Sequence, residues 1–178
     1  MYTKDLQIEG VKLINNFLQE DRRGLFVKPF TNIIDSLKKL HFDINEIYYS
    51  ISQKNVIRGM HFQRPPMDHA KLIYLTSGKI TDVLLDLRKS SKTYKNHIAI
   101  DLSAYENTLF IPAGIAHGFL SNENGTTVVY NQSSVYSQDH DDGILWNSFG
   151  YDWGTNEPIL SDRDRSFIEF NDFNSPFD

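Results

Sequence analysis

The chain has 178 residues, 40% of them hydrophobic and 23% charged, which suits one globular domain spanning 1–178 and excludes disorder over most of its length. A formal net charge of −5 argues against nucleic-acid binding, which needs a basic face, while the absence of cysteine excludes disulfides and thiolate metal sites. No run of about 18 apolar residues and no basic-then-apolar leader occurs, so the expectation is a cytoplasmic protein without a membrane partner.

Taken in chain order, β-rich runs recur between turn residues: Val11 to Ile14, Gly24 to Phe30, Glu46 to Ser52, Val56 to Gln63, Ala70 to Thr76, Lys79 to Arg88, His97 to Leu102, Thr108 to Ile111, His117 to Leu120 and Thr126 to Gln132. One stretch reads as a short helix near the N-terminus, Thr31 to Leu40. It places Ile33, Ile34, Leu37 and Leu40 at helical spacing, with Thr31 as N-cap and Lys38 and Lys39 in the last turn. Twelve Phe and nine Tyr favour strands and large buried surfaces. An all-β sandwich or barrel follows.

Ser77-Gly78 and Asn124-Gly125 predict two-residue hairpins with antiparallel neighbours. Val83, Leu84 and Leu85 are apolar at successive positions, so both faces of that strand should be covered, by a jelly roll with or without a second subunit. After Gln132 the pattern loosens into an aromatic tail with Trp146, Phe149, Tyr151 and Trp153. Asn171 to Asp178 carries no periodicity and is expected to fray.

His61 sits in a strand run between Met60 and Phe62, which should face the other way, while Gln63 shares its face. A histidine so held suits general base catalysis near neutral pH. Arg58 and Lys71 are nearby cations able to hold a diphosphate or a developing enolate oxygen. His117 follows Pro112 and Gly114 in a turn entering a strand. Too few ligands converge for a metal site, and His41, His69, His97 and His140 read as surface residues.

Several motifs, Arg58-Gly-x-His61-x-Gln63, Pro65-Pro66, Lys71-Leu72, Asp86-Leu-Arg88 and Ile111-Pro-x-Gly-x-x-His117-Gly-Phe119, resemble the dTDP-4-dehydrorhamnose 3,5-epimerase family over about four fifths of the chain. The resemblance implies a cupin-type double-stranded β-helix jelly roll and a homodimer. It implies action without metal or organic cofactor on a nucleoside-diphosphate 4-keto-6-deoxyhexose, by epimerisation at C3, C5 or both in deoxysugar biosynthesis. By the same resemblance His61 is the base, Asp164 its carboxylate partner, Tyr130 the proton donor on the opposite face and Lys71, with His117, the enolate stabiliser. Arg23 and Arg58 would grip the diphosphate. Lys28, Glu46, Tyr48 and Tyr136 stand at family positions that line the sugar and nucleotide end, with Lys28 where glutamate is usual, Glu46-Ile47-Tyr48 in place of Gln-x-Asn, and Val135-Tyr136 in place of Tyr-Tyr.

The alternatives are a 3,4-ketoisomerase on the same jelly roll, a metal-dependent cupin oxygenase using His61, His69 and His117, and a non-catalytic sugar-binding jelly roll.

Overall fold

A computed structural model describes residues 1–31, 38–40 and 42–178. The helix expected from Thr31 to Leu40 falls largely on residues outside that set. Each of the ten strand runs forms a strand, with boundaries shifted by at most two residues, and three short strands join them. A six-stranded antiparallel sheet runs, edge to edge, through β1 (Thr3–Asp5), β2 (Lys12–Asn15), β10 (Asn107–Ile111), β7 (Lys71–Ser77), β12 (Thr126–Gln132) and β5 (Glu46–Ser52). Facing it, a five-stranded sheet runs through β13 (Asp141–Gly143), β6 (Ile57–Gln63), β11 (Ile115–Ser121), β8 (Lys79–Asp86) and β9 (His97–Ser103). A separate hairpin, β3 (Phe17–Asp21) with β4 (Gly24–Lys28), projects from this body.

The two hairpin expectations are corrected. Strands β7 and β8 flank Gly78 but belong to different sheets, and so do β11 and β12 around Asn124-Gly125. Both glycines adopt the positive φ that the sequence demanded, 77° at Gly78 and 73° at Gly125. Turn chemistry fixes a tight reversal, but it does not decide which strand supplies the next ladder. Here β7 is already paired on both edges, by β10 and β12, so the chain crosses over instead. Such crossings make two facing sheets from a succession of short strands, the jelly roll expected above.

Strand alternation sends one set of side chains inward, where Ile73, Leu75, Leu84, Leu109, Phe119 and Val128 form the central core. Burial of each contributes roughly 1.5–3 kcal/mol. The opposite face of the five-stranded sheet is also covered: Met60, Phe62, Val83 and Leu85 pack against Ile144, Phe149, Trp153 and Phe177. The chain's own aromatic tail therefore meets the two-sided requirement of Val83-Leu84-Leu85, without a second subunit on that face. It also overturns the expected fraying of the last residues. Phe177 is 4% exposed, Ser175 donates to the Leu87 carbonyl and the Phe177 carbonyl accepts from Lys89 N–H. Aperiodic segments can be anchored by single aromatic side chains, which periodicity does not register. Among the described residues no helix is long and apolar enough to cross a membrane.

Candidate active site

One end of the space between the sheets is open, forming a cleft of about 350 Å³. Its wall is built by alternation. Glu46, Tyr48 and Ser50 point inward from β5, Tyr130 and Gln132 from β12, Lys71 from β7, His117 and Phe119 from β11. On β6, Arg58 and His61 both face the cleft although three residues apart, which strict alternation forbids. The register explains it: His61 pairs with His117 but Arg58 pairs with Phe119, so β6 carries one extra residue there. This bulge re-aims both side chains inward. It also brings Gly59 against Gly118, where a Cβ on Gly59 would lie 2.5 Å from the Gly118 Cα.

His61 Nε2 is 2.7 Å from Asp164 Oδ1. Asp164 opens the last half-turn of the one-turn helix α1 (Asp162–Arg165), capped by the Ser161 hydroxyl, which accepts from Asp164 N–H. Burial alone would raise the Asp164 pKa, but bonds from His61, Gly59 N–H and the Ser161 side chain hold the carboxyl below its ordinary range. An ionised carboxylate only accepts, so Nε2 carries the proton and Nδ1 holds the lone pair. Burial, with Arg163 and Lys71, lowers the His61 pKa against the upward pull of Asp164. The ring is thus a neutral base with an oriented tautomer.

Lys71 Nζ donates to the His61 carbonyl at 3.1 Å. Burial brings its pKa down to about 8, partly countered by Asp141 and Asp82. His117 Nε2 lies 2.7 Å from Asp82 Oδ2, and both residues are buried. Burial raises the Asp82 pKa while His117 and Lys71 oppose it. Tyr130 stacks on Tyr48 with centroids 4.7 Å apart and an interplanar angle of 17°. Its hydroxyl is 3.5 Å from Ser50 Oγ, and Tyr48 Oη accepts from Gln132 Nε2 at 2.6 Å. Burial pushes the Tyr130 phenol well up, so it stays protonated through the neutral range. The arrangement offers a lone-pair base, a phenolic acid and a buried cation around one small volume.

Most residues singled out in the sequence meet here. His61, Tyr130, Lys71, Arg58, His117, Gln63, Glu46, Tyr48 and Tyr136 line the cleft, with Asp164 behind His61. The Gln63 amide is engaged by protein groups, donating to the Met67 carbonyl at 2.6 Å and accepting from Ser137 N–H at 2.7 Å, so it organises the surrounding loops. Arg23 and Lys28 are not brought in. Both lie on the projecting hairpin, Arg23 paired with Asp21 at 2.6 Å and Lys28 over the Phe17 ring.

The placing of His69 at the surface is wrong: it is 8% exposed and lines the cleft. Gln63 Nε2 donates to its Nδ1 at 3.1 Å, which assigns the ring proton to Nε2. His97 is partly buried against Phe149 and Tyr151, His140 is half-buried beside Ser137, and His41 lies outside the described residues. Among the described residues no three His, Asp or Glu side chains cluster as a metal-ligand set.

Sequence reading missed Ser50, Gln132, Asp141 and Arg163, all on the cleft wall. Ser50 and Gln132 were recoverable, since each lies two residues from a chosen neighbour on the same strand. Asp141 and Arg163 arrive from a three-residue strand and a one-turn helix, too short to leave a periodic signal.

A jelly roll whose open end holds an imidazole base, a phenol and a lysine belongs to the acid/base enzymes rather than the passive sugar binders. The model of the dTDP-4-dehydrorhamnose 3,5-epimerase family matches residues 5–172, and the chain belongs to that family. It is 34% identical over 156 residues to the dTDP-4-dehydrorhamnose 3,5-epimerase of Shigella flexneri, covering 85% of this chain and 86% of that one. Among solved structures, the enzyme of the same name from Bacillus anthracis, with TDP and PPi bound, superposes with a TM-score of 0.89 at 35% identity, covering 95% of this chain and 99% of that one. A 3'-monoepimerase from Streptomyces bikiniensis, in complex with dTDP-quinovose, gives a TM-score of 0.86 at 26% identity, covering 93% of this chain and 86% of that one.

Proposed function

We propose that this enzyme epimerises a nucleoside-diphosphate 4-keto-6-deoxyhexose at C3, C5 or both. The observation that carries this reading is the shared cleft of His61 and Tyr130, with Lys71 between the sheets beside them. Carbons 3 and 5 flank the ketone, so loss of either proton leaves an enolate. His61 Nδ1 takes the proton, Asp164 stabilises the resulting imidazolium through Nε2–H, and Lys71, aided by His117, meets the charge on oxygen. Tyr130 then returns a proton to the opposite face and the carbon inverts. Each step is a proton transfer, balanced without an oxidant, metal or organic cofactor. Arg58, steadied by Ser52 Oγ at 3.1 Å, holds a phosphate.

A homodimer completes the site. Phe17, Leu18, Leu25 and Phe26 on the hairpin, and Ile47, Tyr49 and Ile51 on the edge strand β5, are exposed apolar side chains. Their burial against a second copy would let a hairpin carry Arg23 and Lys28 toward the partner's cleft. The absence of cysteine suits a reducing compartment, and we assign the enzyme to the cytoplasm.

The test is incubation with dTDP-, CDP-, GDP- and UDP-linked 4-keto-6-deoxyhexoses and NMR of the products. Inversion at C3 or C5 with the ketone still at C4 is expected. A ketone moved to C3 would point instead to the ketoisomerase, and no change with any nucleotide would reject both.

A further inference from the structure

Asp164 alone would bias His61 toward the imidazolium, which has no lone pair left to take a proton, because a carboxylate lies 2.7 Å from one ring nitrogen. The residue beside it on α1 works the other way. Arg163 Nη1 lies 3.4 Å from His61 Nε2, and since Nε2 already carries the proton of the neutral ring this contact sets the guanidinium against an N–H and opposes a positive charge on the imidazole. We propose that Arg163 is a positioning residue for the base, a fixed guanidinium that keeps the His61 imidazole neutral and its Nδ1 open to accept a proton. The inference rests on the reading of His61 as the base.

Arg163 is held in place from two sides. Its Nη2 donates to Asp141 Oδ2 at 2.6 Å, and its guanidinium carbon lies 4.9 Å from the Phe167 centroid. Phe167 in turn stands edge-on to His61, centroids 5.7 Å apart at 70°. Room for that ring exists because residue 143, the register partner of His61, is glycine: a Cβ there would lie 2.5 Å from the Phe167 ring. Asp141 takes the far amino group and leaves Nη1 directed at the imidazole. The other charged or titratable groups near His61 are Asp164 on α1, Lys71 on β7 and His117 on β11. Lys71 adds to the effect of Arg163 and Asp164 opposes it. Of the two cations Arg163 alone stays charged at every working pH, since Lys71 titrates at about 8.

The test is NMR titration of the imidazole nitrogens in histidine-labelled free protein, with His61 assigned through His61→Asn. Arg163→Gln and Arg163→Met remove the charge, while Arg163→Lys keeps it. The His61 midpoint should move upward in both neutral variants and stay near the parent value in the lysine variant. The acid limb of solvent exchange into substrate should move in parallel. A midpoint unchanged or lowered in the neutral variants overturns the proposal, as does failure of both to fold, which would make Arg163 a residue of stability. No substrate is present in the titration, so its failure leaves the epimerase reading intact, whereas absence of inversion with every sugar would reject that reading without moving the midpoint.

Discussion

His61 and His117 are cross-strand partners on β6 and β11, and each sets its Nε2 2.7 Å from a different aspartate, Asp164 and Asp82. Adjacent imidazoles thus share one kind of partner but not one environment. The His61 side chain is 28% exposed and His117 is buried, so the first faces the open space of the cleft while the second lies deeper, with Lys71 and Asp82.

The His61–Asp164 contact should matter to rate far more than to fold. Asp164→Asn can still accept from Nε2–H but supplies no charge to stabilise the imidazolium. A fall in kcat of about 10² to 10⁴ is expected, and His61→Asn should fall by at least as much. The double variant should be scarcely worse than His61→Asn, because the two act as one unit. Additive losses would separate their roles.

Tyr130→Phe removes one hydroxyl and keeps the ring that stacks on Tyr48. Thermal stability should change by less than about 1.5 kcal/mol, since the Ser50 contact is long. Loss of the parent hydrogen to solvent should persist while inversion collapses. NMR of substrate recovered from heavy water reads both, and equal loss of exchange and inversion would contradict a donor role.

Lys71 sets an alkaline limit. Its folded pKa of about 8 means that the cation needed to meet the enolate oxygen is lost as pH rises through that value. The pH profile of kcat/KM should fall above about pH 8, and Lys71→Arg should push that limb beyond reach, because guanidinium does not deprotonate there. Lys71→Met should cost about 10² to 10³ in kcat.

How much of this was legible beforehand depends on what kind of signal each residue left. Strands such as Glu46–Ser52 and Thr126–Gln132 have the bounds read from the sequence, because β-rich composition between turn residues is a local property. The pairing of those strands is not local, so Ser77-Gly78 read as a hairpin where the chain changes sheets. Most of the site was visible through the resemblance of its motifs. His69 and Arg163 were not, since burial and approach to His61 depend on loops that fold back from 63 to 69 and from 133 to 164.

His69 carries a stability consequence. Burial, with Lys71 and His117, lowers its folded pKa to about 3, below the unfolded value near 6.5. The unfolded chain therefore binds a proton that the native one refuses between those limits. The contribution is complete above about pH 6.5 and is lost as pH falls toward about 3, on the order of a few kcal/mol. Denaturant melts should show stability declining on acidification through that window, and His69→Asn, whose carbonyl can still accept from Gln63, should flatten the slope. An unchanged slope would mean that the ring charges without cost.

The central claim is that one imidazole and one phenol act on a carbon next to a ketone. Its most direct test is the parent enzyme in heavy water with dTDP-4-keto-6-deoxyglucose, following C3 and C5 by proton NMR. The account predicts loss of the proton signal at one or both carbons, with deuterium retained in an inverted product and the ketone still at C4. Inversion without deuterium, or no reaction while His61→Asn and the parent behave alike across all four nucleotides, would contradict it.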